Sequence, residues 1–295
     1  MFGILNVHKP PGVTSRDVVN QVERLIKPEK AGHAGTLDPL ATGVLVVCVG
    51  PATRLIEYVQ RLPKRYLGTF LLGRRSATED IEGEVEELVA PPQPTREQLA
   101  AALPQFLGRI MQQPPAFSAL KVAGKRAYDL ARRGEEVNLA PRPIDVFSLE
   151  ITNYAYPELQ LDIRCGSGTY VRSLGRDLAR AVGTEAVMSA LIRTEIGAFT
   201  VATAVAPYTF TRDNLHEHLL PPQSALASLP QVTVSEREIA DLRNGKRIPV
   251  TADAGTEAAL VDAAGRLIAL ASRAGDAWQP NRVFPAPAEI AGNNY

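Results

Sequence analysis

The segment Gly32-His33-Ala34-Gly35-Thr36-Leu37-Asp38-Pro39-Leu40-Ala41-Thr42-Gly43 carries the residues best suited to chemistry. It sets a carboxylate and an imidazole among glycines and a proline, which fix unusual backbone angles at low steric cost. Such a loop can present one side chain in one orientation. The apolar run Val44-Leu45-Val46-Val47-Cys48-Val49 follows at once and predicts a buried strand. Asp38 therefore sits on a stiffened loop feeding into the core. Simpler readings are open at this point. An Asp before Pro is usually a turn residue. A glycine-rich loop suggests a phosphate cradle, but this one has neither the G-x-x-x-x-G-K-[ST] nor the G-x-G-x-x-G spacing. His33 and Asp38 could ligate a metal, yet no Cys/His cluster of ligand spacing accompanies them.

The loop resembles the catalytic-aspartate motif of the bacterial tRNA pseudouridine-55 synthases, the TruB family. Further segments are similar to that family in the same order: G-I-L-N-V-H-K-P-P-G-V-T-S from Gly3, K-R-Y from Lys64, G-T-Y-V-R-S-L from Gly168, and L-I-R-T from Leu191 with Ile196-Gly197. The resemblance covers nearly the whole chain. It implies an isomerase that detaches uracil from C1′ of its ribose, turns the base and rejoins it through C5. That reaction needs no redox step, so no cofactor and no metal is expected. The resemblance makes Asp38 the catalytic carboxylate, Arg172 its partner, and Tyr66 the ring that stacks on the base, with its hydroxyl a candidate acceptor of the C5 proton. Asp38 has three open roles: addition to C1′, addition to C6, or removal of the 2′ proton. All require the ionised form, and a guanidinium within about 4–6 Å would depress the Asp38 pKa.

Around these, the resemblance implies a set of substrate-side residues. Lys9 with Pro10 buttresses the loop, His33 fills the space a flipped base vacates, and Leu191 walls the base pocket. Tyr170 lies beside Arg172 at a strand-to-helix junction. Asp80 falls in a turn like the family's T-x-D-x-x-G, facing RNA or ordering the turn. Lys121 and Arg126 belong to a Pro-stiffened segment, residues 112–128, that interleaves cations with aromatics. That mixture suits RNA, because cations meet phosphates while rings meet bases. Two positions depart from the family: Ala34 stands for the usual Thr, and Ile192 for the first Arg of L-R-R-T.

The totals are neutral. The chain has 295 residues with 32 Lys+Arg against 32 Asp+Glu, a poor advertisement for an RNA binder. Distribution says more. Arg54, Arg61, Lys64, Arg65, Arg74 and Arg75 face only Glu57 over residues 54–75, and residues 121–133 are similarly basic. Such segments fit a local phosphate track. Cys48 and Cys165 lie in apolar runs and read as buried free thiols. No secretory leader pattern and no apolar run near the roughly 18 residues of a membrane span appear, which predicts a soluble, cytoplasmic protein.

The expected fold class is α+β: a large, mostly antiparallel sheet flanked by helices, with the Asp38 loop in a central cleft. Residues 1–228 read as the catalytic domain, 229–287 as a small β-rich, PUA-like module and 288–295 as a tail. Thr14 with Asp17, Thr95 with Gln98 and Ser235 with Glu238 predict capping boxes. Thr53 and Thr169 are expected to cap further helices, residues 185–193 to form a helix, 195–201 a strand, and 207–229 a linker. The implied partner is the T arm of tRNA, with no guide RNA, no membrane and no obligate protein partner. Two alternatives stand beside it: a non-catalytic tRNA binder that assists folding, and a guide-RNA-dependent synthase of the dyskerin type.

Overall fold

The computed structural model describes residues 1–118, 120–122, 125–131, 133–135, 137, 139–250 and 255–285, with the backbone alone at 121, 122, 125, 126, 129 and 131. The first unit comprises β1 (Gly3–Lys9), α1 (Ser15–Leu25), β2 (Ala31–His33), β3 (Thr42–Val49), α2 (Ile56–Arg61), β4 (Lys64–Leu72), α3 (Arg96–Ala102), β5 (Gly108–Gln112), α4 (Ala127–Ala131), β6 (Arg142–Ala155), β7 (Glu158–Cys165), α5 (Val171–Ala181), β8 (Ala186–Ile196) and β9 (Phe199–Thr200). These strands form one sheet in the order β1-β3-β8-β4-β7-β6-β5, with β2 added to β3 and β9 to β8, and two small ribbons, Arg74–Arg75 with Glu86–Glu87 and Lys121–Val122 with Lys125–Arg126, stand apart from it.

Strand β8 is where this sheet divides. It pairs antiparallel with β4 along its length, but meets β3 in parallel only at Ile192↔Thr42 and Arg193↔Gly43. Further along the same edge, Met188 exchanges backbone hydrogen bonds with Glu79 and Ile81 instead. The Asp38 loop and the turn at residues 76–83 thus sit on one edge of a single strand. On β4, Tyr66, Phe70 and Leu72 are buried on one face as the period-two pattern requires. Helix α5 packs on that face so closely that a Cβ on Gly175 would lie 2.0 Å from the Phe70 ring. Only glycine permits that approach, and it brings Arg172, one turn earlier, down to the sheet.

The three capping boxes form as expected; each satisfies two otherwise orphaned backbone donors. Other expectations are corrected. The helix expected over 185–193 is absent; residues 186–193 belong to strand β8. Ala186, Met188, Ala190 and Leu191 favour helix weakly, and strand pairing along both edges overrides that preference. The strand expected over 195–201 is the end of β8, β9 and a 3₁₀ turn at Val201–Thr203. Thr53 lies inside a 3₁₀ helix, Gly50–Leu55, and donates to the Gly50 carbonyl instead of capping α2. Thr169 donates to the Gly166 carbonyl, and Tyr170 takes the N-cap position of α5. Residues 207–229 are no loose linker. Leu220 pairs with Ile4 of β1, and Phe210, Leu215, Ala225 and Leu226 are buried.

The second unit holds β10 (Gln231–Thr233), α6 (Glu236–Arg243), β11 (Ile248–Pro249), β12 (Glu257–Val261), β13 (Leu267–Ala274) and β14 (Ala277–Val283), in the order β10-β12-β13-β14-β11. Its core gathers around the fully buried Trp278. Leu267, Leu270 and Phe284 continue into a cluster with Ile4, Leu55 and Tyr58 of the first unit. Polar contacts rim this junction: the Tyr58 hydroxyl donates to Glu257, Arg282 pairs with Glu57, and Arg54 donates to the Val283 carbonyl. Cys48 and Cys165 are buried and free. Among the described residues no helix is long and apolar enough to cross a membrane.

Candidate active site

The Asp38 loop is held on every side by groups from distant elements. Ser15, in the first turn of α1, accepts from the Leu37 N–H at 2.8 Å and donates to the Leu37 carbonyl at 3.2 Å. The Lys9 ammonium, fully buried at the end of β1, donates to the carbonyls of Pro10, Val13 and Pro39 at 2.9, 2.7 and 3.1 Å. The Gly12 N–H adds a second bond to Pro39. Arg193, from β8, donates to Val44, Thr36 and Gly35 carbonyls at 2.7, 3.3 and 3.1 Å. The ends and tip of the loop are therefore both fixed.

Arg172 and Asp38 meet as the sequence reading requires. The guanidinium Nε lies 3.0 Å from Asp38 Oδ2, and an Nη donates to Oδ1 at 3.4 Å. The same guanidinium lies 3.4 Å from Asp80 Oδ2 and donates to the Thr78 and Phe117 carbonyls. Arg172 is buried, whereas the Asp38 side chain keeps about a third of its surface open. One cation thus orders two carboxylates and two loops, leaving a single carboxylate edge accessible.

The charge balance differs from the sequence expectation in one respect. Burial raises the Asp38 carboxyl above its ordinary range; Arg172 and Lys9 pull it down, and Asp80 pushes it up. The guanidinium effect is present, but desolvation outweighs it. Burial likewise lowers the Lys9 ammonium to about 8 and raises the Tyr66 hydroxyl, while the Arg193 cation pulls that hydroxyl down. His33, at the end of β2, has its pKa lowered by burial and by the cations Arg193 and Arg16.

The remaining expected residues are not all on the substrate side. Leu191 and Tyr66 share one buried cluster with Leu37 and Ala41, an apolar wall beside the loop. Tyr170 is half-buried under the Arg142 guanidinium, 5.0 Å from its ring centre. Lys9 has its three donors committed to carbonyls, so it braces the loop and offers no hydrogen to a ligand. Asp80 is buried; its Oδ1 accepts from the Thr78 hydroxyl and the Glu82 N–H, so it orders its own turn and Arg172 rather than facing RNA. The side chains of Lys121 and Arg126 lie outside the described residues.

Sequence reasoning missed four members. Ser15 and Arg193 lie in quoted motifs but were given no role. Gln112 accepts from the Tyr170 N–H at 2.9 Å and donates to its carbonyl at 3.0 Å, supplying from β5 a polar anchor at the start of α5, which has no side-chain cap of its own. Glu79 adopts a left-handed φ of 63° and takes hydrogen bonds from Ser173 and Arg176, tying its turn to α5. The signal for Ser15, Arg193 and Gln112 was their place in segments that resemble the family, or in the Pro-stiffened segment over 112–128.

Residues 23–171 match the family model described as TruB family pseudouridylate synthase, N-terminal domain, and residues 229–285 that of tRNA pseudouridine synthase II, C-terminal. Proteins called tRNA pseudouridine synthase B are similar over most of the chain. The one from Dehalococcoides mccartyi is 40% identical, covering 97% of this chain and 98% of its own. That from Rhodopirellula baltica is 36% identical, covering 98% and 96%. Among solved structures, a Cbf5-Nop10-Gar1 complex contains a chain with a TM-score of 0.74 and 25% identity, over 97% of this chain and 86% of that one. With similarity of this extent in both units, the chain belongs to the TruB family of pseudouridylate synthases.

Proposed function

We propose that this protein converts uridine 55 in the T arm of tRNA to pseudouridine, without a guide RNA, a cofactor or an obligate protein partner. The observation that carries the reading is the Asp38–Arg172 pair, rigidly mounted with one carboxylate edge open. The names of the relatives support tRNA as the substrate. In the reaction the C1′–N1 bond breaks, the base turns, a C1′–C5 bond forms, the C5 proton leaves and N1 regains one. Asp38 acts at the ribose or the base in its ionised form. Tyr66 stacks on the extruded base, and Leu191 closes the pocket. Extrusion costs a few kcal/mol, and one aromatic stack returns about 1–3 kcal/mol. Phosphate contacts supply the remainder, with His33 occupying the vacated space and Tyr170, Lys121 and Arg126 toward the RNA. Residues 1–228 form the catalytic domain and 229–287 a PUA-like module, in a cytoplasmic enzyme.

Carbodiimide mapping of an unmodified T-arm stem-loop, incubated with the pure protein alone, tests this. The expected result is one new pseudouridine stop at position 55. A stop appearing only after a second RNA is added supports guide dependence instead, and binding without any stop supports a non-catalytic binder.

A further inference from the structure

Arg193 is a buried cation whose hydrogen bonds run to three carbonyl oxygens and the Tyr66 hydroxyl rather than to a carboxylate. Burying a charge is costly unless it is hydrogen-bonded on all sides, and an aliphatic residue would fill the same space more cheaply. The three carbonyls it holds are those of Gly35 and Thr36 at the entry of the Asp38 loop and Val44 at its exit. The guanidinium reaches them from separate nitrogens, Nε to Val44 and the two Nη to Thr36 and Gly35, whereas an ammonium would offer its donors from one point. The backbone makes the same junction. Gly43 has φ +100°, and a Cβ there would lie 2.2 Å from the Arg193 carbonyl oxygen. Strand β8 therefore presses against the loop exit through glycine while its side chain spans both ends. The register sets Arg193 beside Tyr66 on β4, and its charge acts on the Tyr66 hydroxyl.

We propose that Arg193 is a positioning residue for the reaction. Its guanidinium staples the two ends of the catalytic loop, and so sets where the Asp38 carboxylate stands relative to Arg172 and Tyr66. It acts through Asp38, with a second contact to the Tyr66 hydroxyl, and touches no substrate atom. This rests on the reading of Asp38 as the catalytic carboxylate.

The test compares wild type, Arg193→Lys and Arg193→Gln in single-turnover conversion of the T-arm stem-loop, with RNA affinity and thermal unfolding measured in parallel. Misplacing a reacting group by about 1 Å costs about 100-fold, so Arg193→Gln is expected to lose about 100-fold in rate with RNA affinity held within about threefold. Arg193→Lys, which keeps the charge without the fork, is expected to recover only part of that loss. A folded Arg193→Gln with wild-type rate overturns the proposal. So does an equal fall in rate and affinity, or failure of both variants to fold, which would assign Arg193 to stability alone. If wild type itself makes no pseudouridine, the functional reading fails; if only the Arg193 variants are unaffected, this inference alone does.

Discussion

The two units bury different things. Among the described residues the first unit encloses Lys9, Lys64, Glu79, Asp80, Arg172 and Arg193, most of them around the Asp38 loop, whereas the second encloses one charged side chain, Asp262, at a hairpin rim. Both are sheets with flanking helices, so architecture does not require the difference. Each buried charge costs stability unless neighbours satisfy it, and the first unit commits Ser173, Thr78 and a set of loop carbonyls to that task. The second collects Trp278, Leu260 and Ile239 in an apolar core.

Substitutions can break or sharpen that contrast. The largest effect belongs to Asp38→Asn, which should lower pseudouridine formation by about 10⁴-fold or more, read by tritium release from C5-labelled RNA. Its stability should not fall. The folded pKa of Asp38 lies above the unfolded one, so the folded state holds the proton longer as pH rises. Stability is then lost through that window, and a neutral amide escapes the loss. A melting temperature clearly below wild type would break the contrast.

Arg172→Gln comes next. Leaving Asp80 and Asp38 without their shared cation should cost about 3–5 kcal/mol of stability, measured by urea unfolding. It should also move the acid limb of the rate profile upward. Wild type should lose rate as pH falls through a pKa above the ordinary Asp value of 3.8, and removing the guanidinium raises that pKa further. Trp278→Ala, in the second unit, should cost about 3–5 kcal/mol as well, but with the rate on bound RNA unchanged. The smallest effect is expected of Tyr58→Phe. Losing its hydrogen bond to Glu257 at the junction should cost about 1 kcal/mol and leave conversion unaffected.

What the sequence made legible was local. The three capping boxes pair residues three apart, and β4 and β7 alternate strictly, so short-range pattern suffices. The loop around Asp38 and its meeting with Arg172 were readable because residue types and spacing carry a resemblance. What stayed hidden is long-range. Strand β8 looks helical because its pairing partners lie far away in sequence. The braces share this property: Arg193 meets Val44 at a separation of 149 residues, and Gln112 meets Tyr170 at 58. Nothing in a one-dimensional window announces a carbonyl acceptor. The sign of the Asp38 shift was hidden for a related reason, since a partner's charge can be guessed from motifs but the degree of burial cannot.

One measurement bears most directly on the claim that a single rigidly mounted carboxylate does the chemistry. Wild type and Asp38→Asn are mixed in excess with a T-arm stem-loop tritiated at C5 of its uridines, and release of label is followed over one turnover. The account predicts prompt release of one equivalent from uridine 55 by wild type and none above background from the variant, with equal binding of both to the RNA. Release at comparable rates by the two proteins would contradict it.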